Sequence, residues 1–187
     1  AIQSLPTPLV IERVLRRDAN SVAALTRLAK IYERAADWER CGQILQRALA
    51  LSPKGRDAAD LFYRLGEVAH KASGDLETAV SHWRQALTHD ASHLPAIVAL
   101  EKIARDRDDL PGLAELLGKR ETATTDAITK LAIAIELAEV LRRLGRADAA
   151  IPLLARAAIT APDDVRVLAP LADLYAAARR FDEALTE

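Results

Sequence analysis

The sequence predicts an all-α fold, a solenoid of antiparallel helix-turn-helix repeats, and three observations carry that expectation. Leu28, Leu65, Leu100, Leu137 and Leu171 recur at steps of 37, 35, 37 and 34 residues, a period typical of two-helix repeat units. Around each of these leucines the apolar residues stand three or four positions apart, which stacks them along one helix face. No segment alternates apolar and polar residues as a half-buried strand does.

Each copy opens on a first helix. Its apolar stripe reads Leu25, Leu28 and Tyr32, then Phe62, Leu65 and Ala69, then Ile97, Leu100 and Ala104. The fourth and fifth stripes are Ala134, Leu137 and Leu141, and Leu168, Leu171 and Tyr175. A short polar break follows in each: AAD before Trp38, SGD before Leu76, RDD before Leu110, LGR before Ala147 and ARR before Phe181. The second helices place small residues at Cys41, Ala79, Ala150 and Ala184, larger ones at Leu45, Trp83, Leu117 and Leu154, and small ones again at Ala48, Ala86 and Ala157. Small residues let neighbouring axes approach the close end of roughly 8–10 Å while the large ones fill the gaps. Pro53 and Pro162 fall just past second helices, and Pro95 and Pro111 sit where a first helical turn tolerates a missing N–H.

The step, the Leu65-Gly66 pair, the aromatic after the turn at Trp38 and Phe181, the small residue three positions on and the closing prolines together resemble the tetratricopeptide repeat. That resemblance covers roughly residues 22 to 187 and implies a right-handed superhelix whose first helices line a concave, ligand-bearing surface. The expectation is one array over 1–187, with copies at 22–53, 59–91, 94–120, 127–162 and 165–187. Residues 8–17, PLVIERVLRR, read as the second helix of a copy whose first helix is missing, and the fifth copy stops partway through its second helix. The third copy departs from the pattern, with Glu101, Leu113 and Arg120 where small residues are preferred. The stretch 120–126 reads as a longer turn, a candidate joint, with Thr125 or Asp126 capping the next helix.

Charge and composition narrow the function. With 26 basic and 27 acidic residues and a net charge of -1, no overall field draws the chain onto nucleic acid or anionic lipid. No apolar run approaches the roughly 20 residues of a membrane span, and the start lacks the features of a signal peptide. A soluble chain is expected, cytoplasmic by default. The absence of methionine points to a piece of a longer protein or a processed one, and the excess of arginine over lysine to a bacterial source of high GC content. Apolar residues at Leu9, Val10, Ile11, Val14 and Leu15 and the closing FDEALTE predict either further repeats in the parent or homo-association through exposed array ends.

Catalytic and metal readings fail on the residues. His89 and His93 are four apart, but they straddle the end of one hairpin and the start of the next, with no cysteine or carboxylate motif to complete a shell. His70, His82, His89 and His93 therefore read as solvated loop and helix-end side chains, and no metal or cofactor is expected. Cys41 occupies an alanine column and reads as a small core residue. Asp108-Asp109 and Asp163-Asp164 sit at turns, where aspartate caps helices. No Gly-rich phosphate loop or nucleophile motif is present, so an enzyme is not expected. Trp38, Trp83, Phe62 and Phe181 fall on packing columns and read as core.

What remains is the face of the first helices that the columns leave unused. Its candidate partner-binding residues are Lys30, Arg34, Tyr63, His70, Lys71, Lys102, Arg105, Arg142 and Arg143. Basic residues outnumber Glu33, Glu67, Asp106 and Glu139 there, which predicts a locally positive trough for a protein or peptide bearing acidic residues. Some relatives of the resembled family grip a terminal carboxylate with lysine and asparagine; the matching places here hold Thr26, Lys30, Arg64, Pro95 and Ala99, so that ligand is not expected. Two readings follow: a scaffold that binds a partner on its concave face, or a structural spacer or self-association segment of a larger protein.

Overall fold

The computed structural model describes residues 21–51 and 53–184, with side chains to residue 177. Among the described residues there are nine helices, in sequential antiparallel pairs, and no strand. They are α1 (Val22–Arg34), α2 (Trp38–Ala50), α3 (Gly55–Ser73), α4 (Leu76–His89), α5 (Leu94–Asp106), α6 (Leu110–Ala123), α7 (Ala127–Arg143), α8 (Ala147–Thr160) and α9 (Val165–Ala184). The chain divides into two compact units, Ala1–Ala96 and Ile97–Glu187, the boundary falling in the first turn of α5.

The hairpin turns have a common cause. Ala36, Gly74, Asp108 and Gly145 all take a left-handed backbone, with φ of 54°, 67°, 51° and 71°, which stops a right-handed helix. Just beyond the first three, Asp37, Asp75 and Asp109 accept the backbone N–H of Arg40, Thr78 and Gly112 at 3.1, 3.0 and 3.0 Å. They thereby satisfy donors that a helix start leaves open. Arg146 stands in the corresponding place before α8 and makes no side-chain cap.

In the first unit, α1 packs on α2, α2 on α3 and α3 on α4. Leu25, Leu45 and Ala48 are fully buried, and Cys41 is enclosed beside them. Gly66 lies under Trp83: a Cβ there would sit 2.4 Å from Trp83 Nε1, so only glycine lets the indole reach across and donate to the Tyr63 carbonyl at 3.2 Å. In the second unit, α6, α7, α8 and α9 pack in sequence around Leu117, Leu137, Leu141, Leu154 and Val167.

Several expectations change. The break expected at ARR is absent, and α9 runs unbroken through it to Ala184. The other breaks hold glycine or an aspartate cap, whereas this one offers alanine and arginine, which are strong helix formers. Leu168 and Tyr175, expected in the packing stripe, are exposed, while Val167 and Leu174 are buried. α9 packs on α8, and that contact buries the edge of the stripe that faces it. The turn expected over 120–126 shrinks to 124–126, because α6 extends to Ala123. Asp126 caps α7 by accepting the Thr129 N–H at 2.8 Å. Trp38 and Phe62 are half-buried rather than core, whereas Trp83 is buried. Residues 8–17 and the closing LTE lie outside the described residues, as does the side chain of Phe181.

Candidate partner-binding face

In the first unit the face is built from α1 and α3. Lys30 and Arg34 on α1 are exposed and make no ion pair among the described residues. Glu33, beside them, is committed inward: its Oε2 accepts from Arg64 of α3 at 3.1 Å. Arg64 also donates to the Thr26 carbonyl at 3.1 Å and is only 9% exposed, so it clamps α1 to α3. Tyr63 is half-buried, its ring 5.5 Å from that of His93, and burial pushes its phenol above the usual range. Lys71 donates to Glu67 at 2.9 Å and stands 5.8 Å from the centre of the Trp38 ring. The bond to Glu67 is the main reason its ammonium is held above the usual pKa. His70 is exposed and meets Trp83 edge-on at 6.2 Å.

His70 and His89 are exposed as their sequence positions suggest, whereas His82 and His93 are less solvated. His93 is 4% exposed; its Nε2 lies 2.9 Å from Asp60 Oδ1 and its Nδ1 accepts the Ala96 N–H at 3.2 Å. A ring nitrogen that accepts carries no proton, so Nε2–H is the donor to Asp60. His93 is thus a helix cap tied to α3, which explains why it is buried. His89 stacks on Phe62 at 5.2 Å, and His82 tilts against the same ring at 6.2 Å, held below its usual pKa by burial. Cys41 is 1% exposed, its thiol donates to the Ala29 carbonyl at 3.4 Å, and burial raises its pKa, which keeps it in the unreactive form.

In the second unit the face belongs to α5 and α7. Lys102 is exposed and has no ion-pair partner among the described residues. Arg105 is engaged twice, donating to Glu101 Oε2 at 3.1 Å and to Glu136 Oε1 at 2.7 Å. Glu101 is completely buried; the same Oε2 also takes Arg120 of α6 at 2.9 Å, and its Oε1 has no hydrogen-bond partner. Arg142 holds Glu139 at 2.7 Å and Arg143 holds Asp108 at 3.1 Å.

The electrostatic expectation is therefore reduced. Of the seven cations read as a positive trough, Lys71, Arg105, Arg142 and Arg143 already have carboxylate partners, and Lys30, Arg34 and Lys102 have none among the described residues. Residue counting misses part of this because Glu136 and Asp108, which neutralise Arg105 and Arg143, come from neighbouring elements. Glu101 is the one member whose oddness is visible in sequence, as a carboxylate in a small-residue column. Among the described residues no three metal-ligating side chains gather at one place, and no helix is long and apolar enough to cross a membrane.

A family model described as tetratricopeptide repeat matches residues 16–187. No curated protein is matched by the sequence. Solved structures share the fold at low identity. A crystal structure of YrrB, described as a tetratricopeptide repeat protein with an unusual peptide-binding site, is 16% identical, with a TM-score of 0.51 over 86% of this chain and 79% of that one. MamA is 17% identical, with a TM-score of 0.54 over 80% and 84%. A thermophilic tetratricopeptide repeat protein of Thermus thermophilus is 18% identical, with a TM-score of 0.51 over 90% and 88%. Proteins of this repeat generally mediate protein–protein interactions and are typically non-catalytic. By the reach of the family match and the paired helices it predicts, the chain belongs to the tetratricopeptide repeat family.

Proposed function

We propose that the chain holds a segment of another protein against the exposed face of its first helices, and that this segment bears acidic residues. The observation that supports the reading is exposed cations without a counter-charge among the described residues, Lys30 and Arg34 on α1 in the first unit and, separately, Lys102 on α5 in the second. In the first unit Tyr63 adds a half-buried ring, an apolar anchor between polar neighbours. Exposed ion pairs contribute about 0.2–1 kcal/mol each, so binding in the first unit rests on Lys30 and Arg34 together with such an anchor. Lys71, Arg105, Arg142 and Arg143 contribute shape and hydrogen bonds more than net charge, because their own carboxylates stay close, and His70 contributes the ring that meets Trp83.

The test uses a partner purified after capture on the chain. Lys30→Glu with Arg34→Glu reverses two exposed charges without touching the core, and is expected to weaken binding about tenfold at low salt while flattening its salt dependence. Lys102→Glu is made separately and is expected to act in the same direction, by less. Unchanged affinity and an unchanged salt slope in folded variants contradict the proposal.

A further inference from the structure

We propose that the second unit carries another docking groove, on its second helices, which takes an acidic partner segment bearing a bulky apolar side chain. It is independent of the first-helix reading. α6 and α8 each pack on α7, and the space between them is a groove of about 580 Å³, within the roughly 300–1,000 Å³ of sites that enclose a ligand. Its floor is Leu137 and Leu141 of α7 with Leu153 of α8. Leu137 and Leu141 are core residues, 7% and 6% exposed, so the groove reaches down to the packed interior of the unit. An apolar side chain seated there gains dispersion contacts on several sides at once.

Pro111 and Pro152 line the groove as rigid rings. Pro152 lies inside α8, where it has no N–H to offer the preceding turn.

The rim sets the sign of the occupant. Of its three charged residues, Glu115 is held by Lys119 and Arg156 holds Glu121. Arg146 has no counter-charge among the described residues, and it stands where α2, α4 and α6 begin on Asp37, Asp75 and Asp109. The fourth second helix thus replaces an anion with a cation at the mouth of an apolar groove. The complementary ligand is a bulky apolar residue flanked by aspartate or glutamate.

The test is a titration of the full chain, labelled with nitrogen-15, with the synthetic peptide acetyl-Asp-Glu-Leu-Phe-Glu-Asp-amide. A control peptide carries lysine at its four acidic places. Saturable shifts of the Arg146, Ala149 and Leu153 amides with the acidic peptide alone are expected. Arg146→Glu, an exposed change that leaves the core intact, should weaken that binding by about fivefold or more, as the reversal of an exposed charge beside an apolar contact does. Lys102→Glu should leave it unchanged, which separates this groove from the first-helix face. Absence of saturable groove shifts, equal affinity for Arg146→Glu, or shifts confined to α5 and α7 residues around Lys102 and Arg142 would overturn the proposal. Groove shifts that follow protein concentration without peptide would overturn it in favour of a second copy of the chain.

Discussion

Glu101 is the residue that most constrains its surroundings. A carboxylate with no exposed surface is costly unless it is paired, and here two arginines converge on one of its oxygens while the other has no partner. Arg105 and Arg120 are themselves partly exposed, with side-chain exposures of 39% and 27%, so water can replace Glu101 for them. The reverse does not hold. Arg120→Met leaves a buried carboxylate with a single half-exposed cation and is expected to lower stability by about 2–3 kcal/mol, whereas Glu101→Ala removes the buried charge and is expected to cost less. Urea midpoints of the two variants decide the order, and a larger loss for Glu101→Ala contradicts it. The sequence marks Glu101 as a misfit in a small-residue column, yet not what it pairs with, because Arg120 lies on another helix, 19 positions away. His93 was hidden for a related reason. A histidine at a helix start reads as solvated until its partner Asp60, 33 positions earlier, is placed beside it.

At the level of elements, the turns carry the information. Left-handed residues at 36, 74, 108 and 145 stop the first helices, and two of the four, Ala36 and Asp108, are not glycine. An L-residue held left-handed costs roughly 1–2 kcal/mol, part of which glycine recovers. Ala36→Gly is therefore expected to raise stability by about 0.5–1 kcal/mol, read as a higher midpoint in thermal or urea unfolding. A lower midpoint would mean that the turn is not strained at Ala36. The helices themselves were legible because Leu25, Leu65, Leu137 and their neighbours keep helical spacing. The end of the fifth copy was not: repetition suggested a break at ARR, while local propensity favours helix, and α9 follows propensity. The packed edge of α9 was equally hidden, since Leu168-Leu171-Tyr175 and Val167-Leu171-Leu174 are both acceptable stripes and only the position of α8 selects between them.

For the molecule as a whole, one architectural rule leaves two kinds of surface on offer: in each unit a first-helix face with cations that have no counter-charge among the described residues, Lys30 and Arg34 in the first and Lys102 in the second, and, in the second unit, an apolar groove between second helices. The core of each unit follows from the repeat pattern, whereas the charge on its surface depends on pairs such as Arg143 with Asp108, 35 positions apart, which no periodicity reveals. The first helices are the proposed seat of a partner segment. Amide hydrogen exchange of the full chain, with and without a purified partner, tests that placement most directly. Slowed exchange is expected in α1 and α3, or in α5 and α7, and around Tyr63 or Lys102 within them. Protection confined to second helices, with all four of those first helices unchanged, would contradict it.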